Sequence, residues 1–412
     1  MRCDVAVCGG GLVGATLALA LADLSLDVVL IEAHPFGTSG QPSFDDRTTA
    51  LSNGSRRIFD ALRVWPLLER EATAIRRIHI SDRGRFGFAR LDAAEQGLSA
   101  LGYVVVNRAI GAALWRRLED SSVRILAPAK VRGVQLVDGR QRIDCDLGAQ
   151  VDGQGSGSVE AKLAIAADGA QSALREAAGI GAQTWNYDQT ALVTNVLTQR
   201  FHDHVAYERF TPSGPLALLP MSEGRLGLIW TFTPDVAQSV AQANDAEFLA
   251  QLQDAFGFRL GRFMRVGARQ LYPLALTRAD EHIAERLAIV GNAAQTLHPI
   301  AGQGFNLGLR DAASLAEVLA DGRAQQRDAF DPGDDLWLDR YREWRQADRT
   351  NIVRFTDGLV RLFAQPLGPI KALRDVGMLA FDLMPAAKGV LSQLSLGAAG
   401  RIPKLARGAS LL

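Results

Sequence analysis

Three glycines and one glutamate near the N-terminus have the types and spacing of a dinucleotide-binding turn. Gly9, Gly11 and Gly14 form a Gly-x-Gly-x-x-Gly motif between a short apolar run and a helical pattern. In such a motif the first glycine makes the turn, the second lets backbone approach a pyrophosphate, and the third lets helix and strand pack closely. The helix N-terminus offers N–H groups to the phosphates, and Glu32, after the next apolar run, can accept both ribose hydroxyls of an adenosine. The motif predicts a dinucleotide without choosing between FAD and NAD.

A second polar cluster follows the apolar stretch 163–167. Asp168 and Gly169 come first, and Ser172 and Arg175 follow at helical spacing. One interpretation is an ordinary N-terminal helix cap. The other is a second contact near the pyrophosphate of the dinucleotide.

The stretch 291–308 is a third candidate element, far from the first in sequence. Glycines at 302, 304 and 308 would let the backbone approach a flat ligand, and the helix that follows aims its positive end at that ligand. A reduced flavin is anionic, so a helix N-terminus there would stabilise it. A nicotinamide dehydrogenase has no need of this second element.

The strands and helices that must position these motifs are indicated by the sequence pattern, which predicts an α/β (α+β) fold. A strand, glycine turn, helix and strand over residues 4–31 make one βαβ unit. Residues 123–167 have the short alternating segments of an antiparallel meander, and 184–272 mix strands with a helix as a separate mixed-sheet domain would. Long helical patterns run from residue 336 towards the end and predict a C-terminal helical tail.

Composition excludes several classes of function. The 412 residues include 45 Lys and Arg and 45 Asp and Glu, so there is no basic field for nucleic acid. Three cysteines do not suggest a disulfide framework, which suits a reducing cytoplasm. The apolar run 12–24 is too short to span a membrane and follows three glycines, so neither export nor membrane spanning is expected.

The three motifs, in this order and spacing, resemble the aromatic-hydroxylase class of flavoprotein monooxygenases, which have the p-hydroxybenzoate hydroxylase fold. The resemblance covers nearly the whole chain and implies a Rossmann-like FAD-binding domain, a substrate domain and a C-terminal region. The implied FAD-binding segments are 1–75, 101–182 and 276–334, the substrate segments are 76–100 and 183–275, and the helical region is 335–412. The cofactor-binding residues that it implies are Gly9, Gly11, Gly14, Glu32, Arg47, Arg108, Asp168, Gly291, Asn292, Pro299, Gly302, Gly304 and Asn306.

The third motif departs from the usual Gly-Asp-Ala-Ala-His pattern of that class, with Asn292 for aspartate and Gln295 for histidine. Asparagine can still hydrogen-bond a ribityl hydroxyl. The departure resembles the ubiquinone-biosynthesis branch of the class, and within it the 2-polyprenyl-6-methoxyphenol hydroxylases. That resemblance implies FAD as cofactor, NAD(P)H as co-substrate, and O2 and a polyprenyl phenol as substrates, with hydroxylation at C1. A sibling hydroxylase acting on another ring position remains an alternative.

The same resemblance implies substrate-side residues but no unmistakable general base. The strand residues that would line the substrate are Pro215, Leu216, Ala217, Leu219 and Pro220. His298, beside Pro299, is a candidate for shaping the flavin environment, and a capped loop histidine is the alternative. Arg47 and Arg108 would contact FAD, unless they are ordinary surface ion-pair partners.

Partners and rival functions remain to be weighed. Residues 351–412 carry eight basic and three acidic side chains, which suggests peripheral contact with the inner membrane or, alternatively, a helix packed on the FAD-binding domain. Partner proteins of a ubiquinone-biosynthesis complex are a further expectation.

His202 and His204, on a predicted strand, lack a third ligand, so no metal is expected. The rivals are a nicotinamide dehydrogenase, a flavin-dependent halogenase, whose Trp-x-Trp-x-Ile-Pro segment is not found, and a non-catalytic FAD-binding scaffold.

Overall fold

A computed structural model describes residues 1–35, 47–84, 88–148, 155–297, 303–364 and 400–412. Within these ranges the strands are β1 (Arg2–Cys8), β2 (Val28–Ile31), β3 (Thr48–Ser52), β4 (Thr73–Ile75), β5 (Arg77–Asp82), β6 (Phe88–Asp92), β7 (Gly102–Val106), β8 (Arg124–Leu126), β9 (Ala129–Val137), β10 (Arg140–Leu147), β11 (Gly157–Ala166), β12 (Ala182–Thr198), β13 (Val205–Thr211), β14 (Gly214–Pro220), β15 (Arg225–Phe232), β16 (Phe263–Val266), β17 (Gln270–Ala279), β18 (Ile283–Ala284), β19 (Leu287–Ile289) and β20 (Gln295–Thr296). The helices are α1 (Leu12–Ala22), α2 (Asn53–Ala61), α3 (Trp65–Leu68), α4 (Asn107–Glu119), α5 (Ala173–Ala177), α6 (Pro234–Gln242), α7 (Asp245–Phe256), α8 (Gln303–Gln326) and α9 (Asp335–Ala364).

The first sheet has the order β18-β19-β11-β1-β2-β8, in which β19, β11, β1, β2 and β8 run parallel. Its strands are short apolar runs buried on both faces, as expected where helices cover a parallel sheet. The helix α1 joins β1 to β2 and packs against α8 and α4. This is the predicted βαβ unit, and the α/β prediction is confirmed.

The predicted antiparallel meander is also present. The strands β9, β10 and β11 pair antiparallel, and β11 continues into the parallel sheet beside β1. The meander therefore extends the first sheet instead of forming a separate unit.

The second sheet has the order β20-β17-β12-β15-β14-β13-β5-β6, with β16 paired to β12. It combines strands from before and after the meander, since β13 pairs parallel with β5. The helices α6 and α7 cover one face, where a cluster of fully buried side chains includes Leu192, Leu218 and Phe248. A small sheet, β3-β7-β4, packs through Val104 on part of the other face, against Ala206.

The last residues of the chain pack on the first domain. Leu405, Ala406 and Leu411 are buried in the core that contains α1 and α8. Lys404 pairs with Asp321 of α8 at 3.1 Å. No helix in the described ranges is long and apolar enough to cross a membrane.

Candidate functional site

The three predicted motifs and Glu32 follow four strands that end at the same edge of the first sheet. Cys8 of β1 is in register with Ala166 of β11 on one side and Ile31 of β2 on the other, and Ala166 is in register with Ile289 of β19. Since these strands are parallel, their carboxyl ends meet, and the residues that follow them lie together. A ligand site outside the carboxyl ends of parallel strands is the general arrangement in open α/β sheets.

The turn after β1 requires glycine at two positions. Gly9 has φ +106°, and a methyl group added there would lie 2.5 Å from the Ala167 carbonyl oxygen. A methyl group at Gly14 would lie 2.0 Å from the Gly9 carbonyl oxygen. Gly11 is the N-cap residue of α1, and neither a side-chain cap nor an acidic residue occupies the first turn of that helix. No side chain of α1 itself therefore neutralises the positive end of the helix at the sheet edge.

Glu32 is held beside this turn. Its side chain is buried, and its Oε2 accepts a hydrogen bond from the Gly10 N–H at 2.6 Å. Its Oε1 accepts the His34 N–H at 2.9 Å. A carboxylate oxygen can accept more than one hydrogen bond, so both oxygens retain capacity for ribose hydroxyls.

The Asp168 motif forms a cap and a bridge. Asp168 accepts hydrogen bonds from the Ser172 hydroxyl and the Leu174 N–H, so its carboxylate caps the short helix α5. The buried Arg175 donates through Nη1 to the Ala293 carbonyl oxygen at 2.8 Å. This loop is thereby tied to the third motif, a contact that the sequence analysis did not predict.

The first and third motifs touch through one side chain. Val13, in the first turn of α1, lies 3.1 Å from where a methyl group on Gly291 would be and 2.9 Å from one on Gly308. Gly291 itself has φ +61°. A side chain at Gly308 would press Val13 away from α8, and one at Gly291 would press it away from the loop after β19. The start of α1 is therefore packed directly against the third motif, nearly 300 positions later in the sequence.

The other predicted residues of the third motif differ in environment. Asn292 is exposed, and Gly304 has open space where a side chain would be. Asn306 accepts the Ser52 N–H and the Ser55 hydroxyl through Oδ1 and donates from Nδ2 to the Ala50 carbonyl oxygen, so its side chain fastens α8 to β3 and α2. His298, Pro299 and Gly302 lie outside the described residues.

The two predicted arginines lie at the boundary of the two sheets. Arg47 precedes β3, and its guanidinium carbon lies 4.9 Å from the ring centroid of Tyr272 on β17. Arg108 is exposed in the first turn of α4. Both have further interactions, so neither is free of partners.

Comparison with known proteins identifies the family. The FAD binding domain family matches residues 2–356. The chain belongs to this family. The ubiquinone hydroxylase UbiL of Rhodospirillum rubrum is 38% identical over 413 residues, covering 99% of this chain and 93% of that protein. The 3-demethoxyubiquinol 3-hydroxylase of Escherichia coli K12 is 31% identical, covering 96% of this chain and 98% of that protein.

A solved structure supports the same fold. The p-nitrophenol 4-monooxygenase PnpA of Pseudomonas putida DLL-E4 superposes with a TM-score of 0.79 at 19% identity, covering 97% of this chain and 99% of that chain. Together with the family match, these relatives identify the chain as an FAD-dependent monooxygenase of the class A flavoprotein group. The cofactor fits the chain's own residues, because the uncapped N-terminus of α1 and the Glu32 carboxylate lie together at the edge of the first sheet, and the third motif is packed against the same helix.

A buried ionic network supports the third motif of this monooxygenase. The fully buried Asp311 accepts the Gly291 N–H at 3.3 Å through Oδ2. Its Oδ1 accepts from Arg345 Nε at 2.8 Å and lies 3.2 Å from Arg349 Nη2. Burial alone would raise the pKa of the Asp311 carboxyl, but the Arg349 and Arg345 guanidinium groups outweigh burial and lower it. This network was not predicted from the sequence. Asp311 lies three residues after the end of the third motif, and the two arginines are spaced i, i+4 on α9.

The substrate-side strand presents its residues on two faces. Leu216 and Leu218 are fully buried under α6 and α7. Because strand residues alternate, Pro215, Ala217 and Leu219 lie on the other face, and Pro220 returns to the helix-covered one. That this strand lines the substrate stays a prediction, and the alternation limits it to Pro215, Ala217 and Leu219, because Leu216 and Pro220 lie on the helix-covered face.

The prediction that His202 and His204 lie on a strand was wrong. Asp203 and His204 have φ of +48° and +58° and form a turn before β13 begins. His202 is hydrogen-bonded to the Met221 carbonyl oxygen and accepts the His204 N–H, and the His204 ring bonds to the Ala74 carbonyl oxygen. No cluster of three metal-ligating side chains occurs in the described part of the chain.

Proposed function

We propose that this FAD-dependent monooxygenase hydroxylates the aromatic ring of a polyprenylated ubiquinone precursor. The balanced reaction consumes O2, NAD(P)H and one proton. It places one oxygen atom on the ring, releases the other as water and oxidises the nicotinamide. The names of relatives that align over nearly the whole chain favour this substrate class. The observation that carries the proposal is the packing of Val13 of α1 against Gly291 and Gly308, which brings the first and third motifs together as one extended flavin dinucleotide requires.

The predicted cofactor residues have distinct proposed roles along that dinucleotide. The turn at Gly9, Gly11 and Gly14 would receive the pyrophosphate, and Glu32 the adenosine ribose. Asp168 and Arg108 would lie near the pyrophosphate side, and Arg47 near the flavin ring. The proposed ribityl and flavin contacts are Gly291, Asn292, Pro299, Gly302, Gly304 and Asn306. FAD supplies the redox chemistry that activates O2, and the chain's part is to position the ring and exclude water.

The ring position that we propose is C1 of 2-polyprenyl-6-methoxyphenol, on the resemblance of the segment 291–299 to that hydroxylase group. A sibling reaction is a real competitor, because one relative is a 3-hydroxylase by name. The nicotinamide is proposed to bind transiently at the FAD site. His298 and Pro299 would shape the flavin environment.

Deleting the gene in its host under aerobic growth tests the substrate and ring position together. We expect 2-polyprenyl-6-methoxyphenol to accumulate, identified by mass analysis of the extracted quinone precursors, and the wild-type gene to remove it. Accumulation of a lipid already hydroxylated at C1 would contradict the proposed position and favour a sibling reaction. A non-catalytic scaffold instead predicts a purified protein with bound FAD but no substrate-stimulated NAD(P)H oxidation.

We further propose that the enzyme is cytoplasmic, with peripheral contact to the inner membrane, where a polyprenyl substrate is dissolved and where partner enzymes of the same synthesis would be found. Residues 400–412 pack on the FAD-binding domain, and Arg401 and Lys404 pair with Glu317 and Asp321. Those two cations are therefore engaged within the protein. Of the other six basic side chains after residue 350, the three in the segment 365–399, which lies outside the described residues, are the ones that we propose contact anionic headgroups.

Replacing Lys371, Arg374 and Lys388 with glutamine tests this contact without removing the packed terminus. We expect less of the variant to float with vesicles containing anionic lipid, because each basic residue near such a surface contributes about 1 kcal/mol. A matched control neutralises three exposed arginines of the meander and its surroundings, Arg2, Arg132 and Arg142. Equal flotation of the tail variant and wild type would remove the proposal.

A further inference from the structure

The second sheet carries a cleft floor that the helices do not cover. Strand pairing places Val193 of β12, Ile229 of β15, Ala217 of β14, Glu208 of β13 and Ile80 of β5 side by side in one row across five strands. Directly paired residues in a sheet project from the same face. This row, called here the floor row, lies on the face opposite α6 and α7.

The neighbouring row on the same face is already covered. Leu219, Ala206 and Ile78 pack against the small sheet β3-β7-β4 through residues that include Val104 and Ile75. The floor row lies two residues further along each strand than the row in this contact. All five of its members are half-buried, whereas the residues on the helix side are fully buried. This part of the face is therefore only partly covered, and the space over the floor row is called here the cleft.

Arg47 and Thr48 connect this cleft to the cofactor side. Thr48 Oγ1 lies 2.8 Å from where a methyl group on Gly227 would be, and Gly227 is in register with Leu219 in the covered row. Arg47 stacks on Tyr272 across the same face. The segment leading into β3 thus bounds the cleft on the side of the FAD-binding domain.

Glu208 is the one acidic member of an otherwise apolar row. Within the described residues its carboxylate has neither a hydrogen-bond donor nor an ion-pair partner, in contrast to Asp311 or Glu32. Burial is the single cause that raises the pKa of the Glu208 carboxyl, to about 7. The charged strand residues that alternation places on this face are Asp82 on β5, Arg225 on β15 and Arg278 on β17. Arg225 pairs with Glu223, and Arg47 lies over Tyr272. Because the Glu208 side chain is half-buried, solvent reaches it in the free protein, and a ligand that covers the floor row has to supply a donor in place of that solvent.

We propose that Glu208 is a catalytic base that accepts the proton of the substrate's phenol hydroxyl while the ring lies on Ala217 and Ile229. This inference rests on the proposed ring hydroxylation. The phenol O–H bond breaks, its proton passes to a Glu208 carboxylate oxygen, and the electron pair enters the ring. The electron-rich ring carbon then forms its bond to one oxygen atom of O2, for which NAD(P)H supplies two electrons, while the O–O bond breaks and the other oxygen atom leaves as water. Loss of the ring C–H proton restores aromaticity, and the phenol oxygen takes back a proton.

The chemistry suits both the ligand class and the working pH. The apolar side chains of the floor row suit a prenylated ring. Glu208, the single hydrogen-bond acceptor in the row, fixes which edge of the ring faces its carboxylate. A base whose pKa lies near the operating pH is ionised often enough to accept the proton and is basic enough to keep it. Deprotonation raises electron density at the ortho and para carbons, so Glu208 would also help to select the carbon that reacts.

Glu208→Gln tests the proposal, because it keeps shape and removes the base. The probe is a short-chain 2-prenyl-6-methoxyphenol with the FAD-loaded enzyme, O2 and NAD(P)H. We expect kcat for hydroxylated product to fall about 100-fold. Bound FAD and NAD(P)H oxidation without substrate should stay at wild-type values. The control is Glu223→Gln, an exposed glutamate on the same domain that pairs with Arg225, and it should behave as wild type.

The pH profile separates a base from a structural residue. Wild-type kcat should fall about tenfold per unit below pH 7, and this limb should disappear in Glu208→Gln. Stability gives an independent check. Because the folded pKa is raised from 4.5, wild type should lose stability relative to Glu208→Gln as pH rises from 4.5 to 7, and the difference should stay constant above that.

Two results would overturn the proposal, and they are distinguishable. A Glu208→Gln enzyme with more than a third of wild-type kcat and an unchanged acid limb would exclude Glu208 as the base and leave the proposed function standing. Wild-type enzyme that binds FAD but hydroxylates no prenylated phenol would remove the proposed function, and this role with it. Should Glu208→Gln fold poorly, Glu208→Asp retains the carboxylate and should keep the acid limb at reduced kcat.

Discussion

Gly14→Val is expected to give a folded protein that no longer retains FAD. A side chain at this position would begin 2.0 Å from the Gly9 carbonyl oxygen, so the turn between β1 and α1 has to open. The N–H groups of the first turn of α1 then leave the position where a pyrophosphate would be bound. We expect a loss of at least about 3 kcal/mol of binding free energy, which is more than a 100-fold rise in Kd for FAD. Titration of the apoprotein with FAD, followed by flavin fluorescence, measures it.

The matched control for this substitution is Gly133→Val. Gly133 lies on β9, and nothing lies within 4 Å of the position where its side chain would begin. Valine is well suited to a strand, so both FAD affinity and Tm should stay at wild-type values. Wild-type FAD affinity in Gly14→Val would show that the dinucleotide does not use this turn.

Asp311→Asn is expected to destabilise the protein by about 3–5 kcal/mol, because it leaves Arg345 and Arg349 buried without their shared carboxylate. The Gly291 N–H also loses the strength of a charged acceptor. We therefore expect FAD affinity to fall along with Tm. Denaturant unfolding of the apoprotein separates the two effects.

The Asp311 carboxylate should also make the stability of the protein depend on pH. Its pKa is lowered in the folded protein, so the stability that it contributes is present above its usual range and is lost as pH falls through the lowered value. The control is Asp339→Asn, whose partner Arg342 is exposed and three residues away on the same helix. That substitution should cost less than about 1 kcal/mol. An equal effect of both substitutions would show that the buried network has no special role.

The positions of the motifs could be predicted from the sequence for a physical reason. Apolar runs followed at once by glycine or an acidic residue indicate strand ends, and parallel strands bring their ends to one edge. That reasoning placed Gly9, Glu32, Asp168 and Gly291 correctly at strand ends. It could not give their mutual contacts, because Val13 resembles any apolar residue at the start of a helix.

Other features depended on pairing that the sequence does not reveal. The two faces of β14 could not be assigned without knowing which face α6 and α7 cover, so Leu216 was grouped with Ala217. The sequence does not distinguish Glu208 from an ordinary solvent-facing strand residue, and its pairing with Ile80 of β5 and Ala217 of β14 is what shows that it is half-buried. The turn at Asp203 and His204 was missed because left-handed backbone is uncommon for residues other than glycine.

The buried ionic network is a case of tertiary context overriding local pattern. Arg345 and Arg349 are spaced as on the solvated face of a helix, yet both are buried against Asp311, more than thirty residues earlier in the chain. Burial of Arg345 and Arg349 with the Asp311 carboxylate is costly unless the geometry is specific. Its position directly beneath Gly291 indicates that it fixes the shape of the third motif.

A crystal structure of the protein with FAD tests the central claim most directly. We expect a single FAD molecule, with its adenosine ribose on Glu32, its pyrophosphate at the N-terminus of α1 and its flavin ring beside the N-terminus of α8. The two glycine loops, joined through Val13, would then hold opposite ends of one ligand. FAD found against only one of these loops, or a protein that stays colourless and empty after reconstitution, would contradict the account.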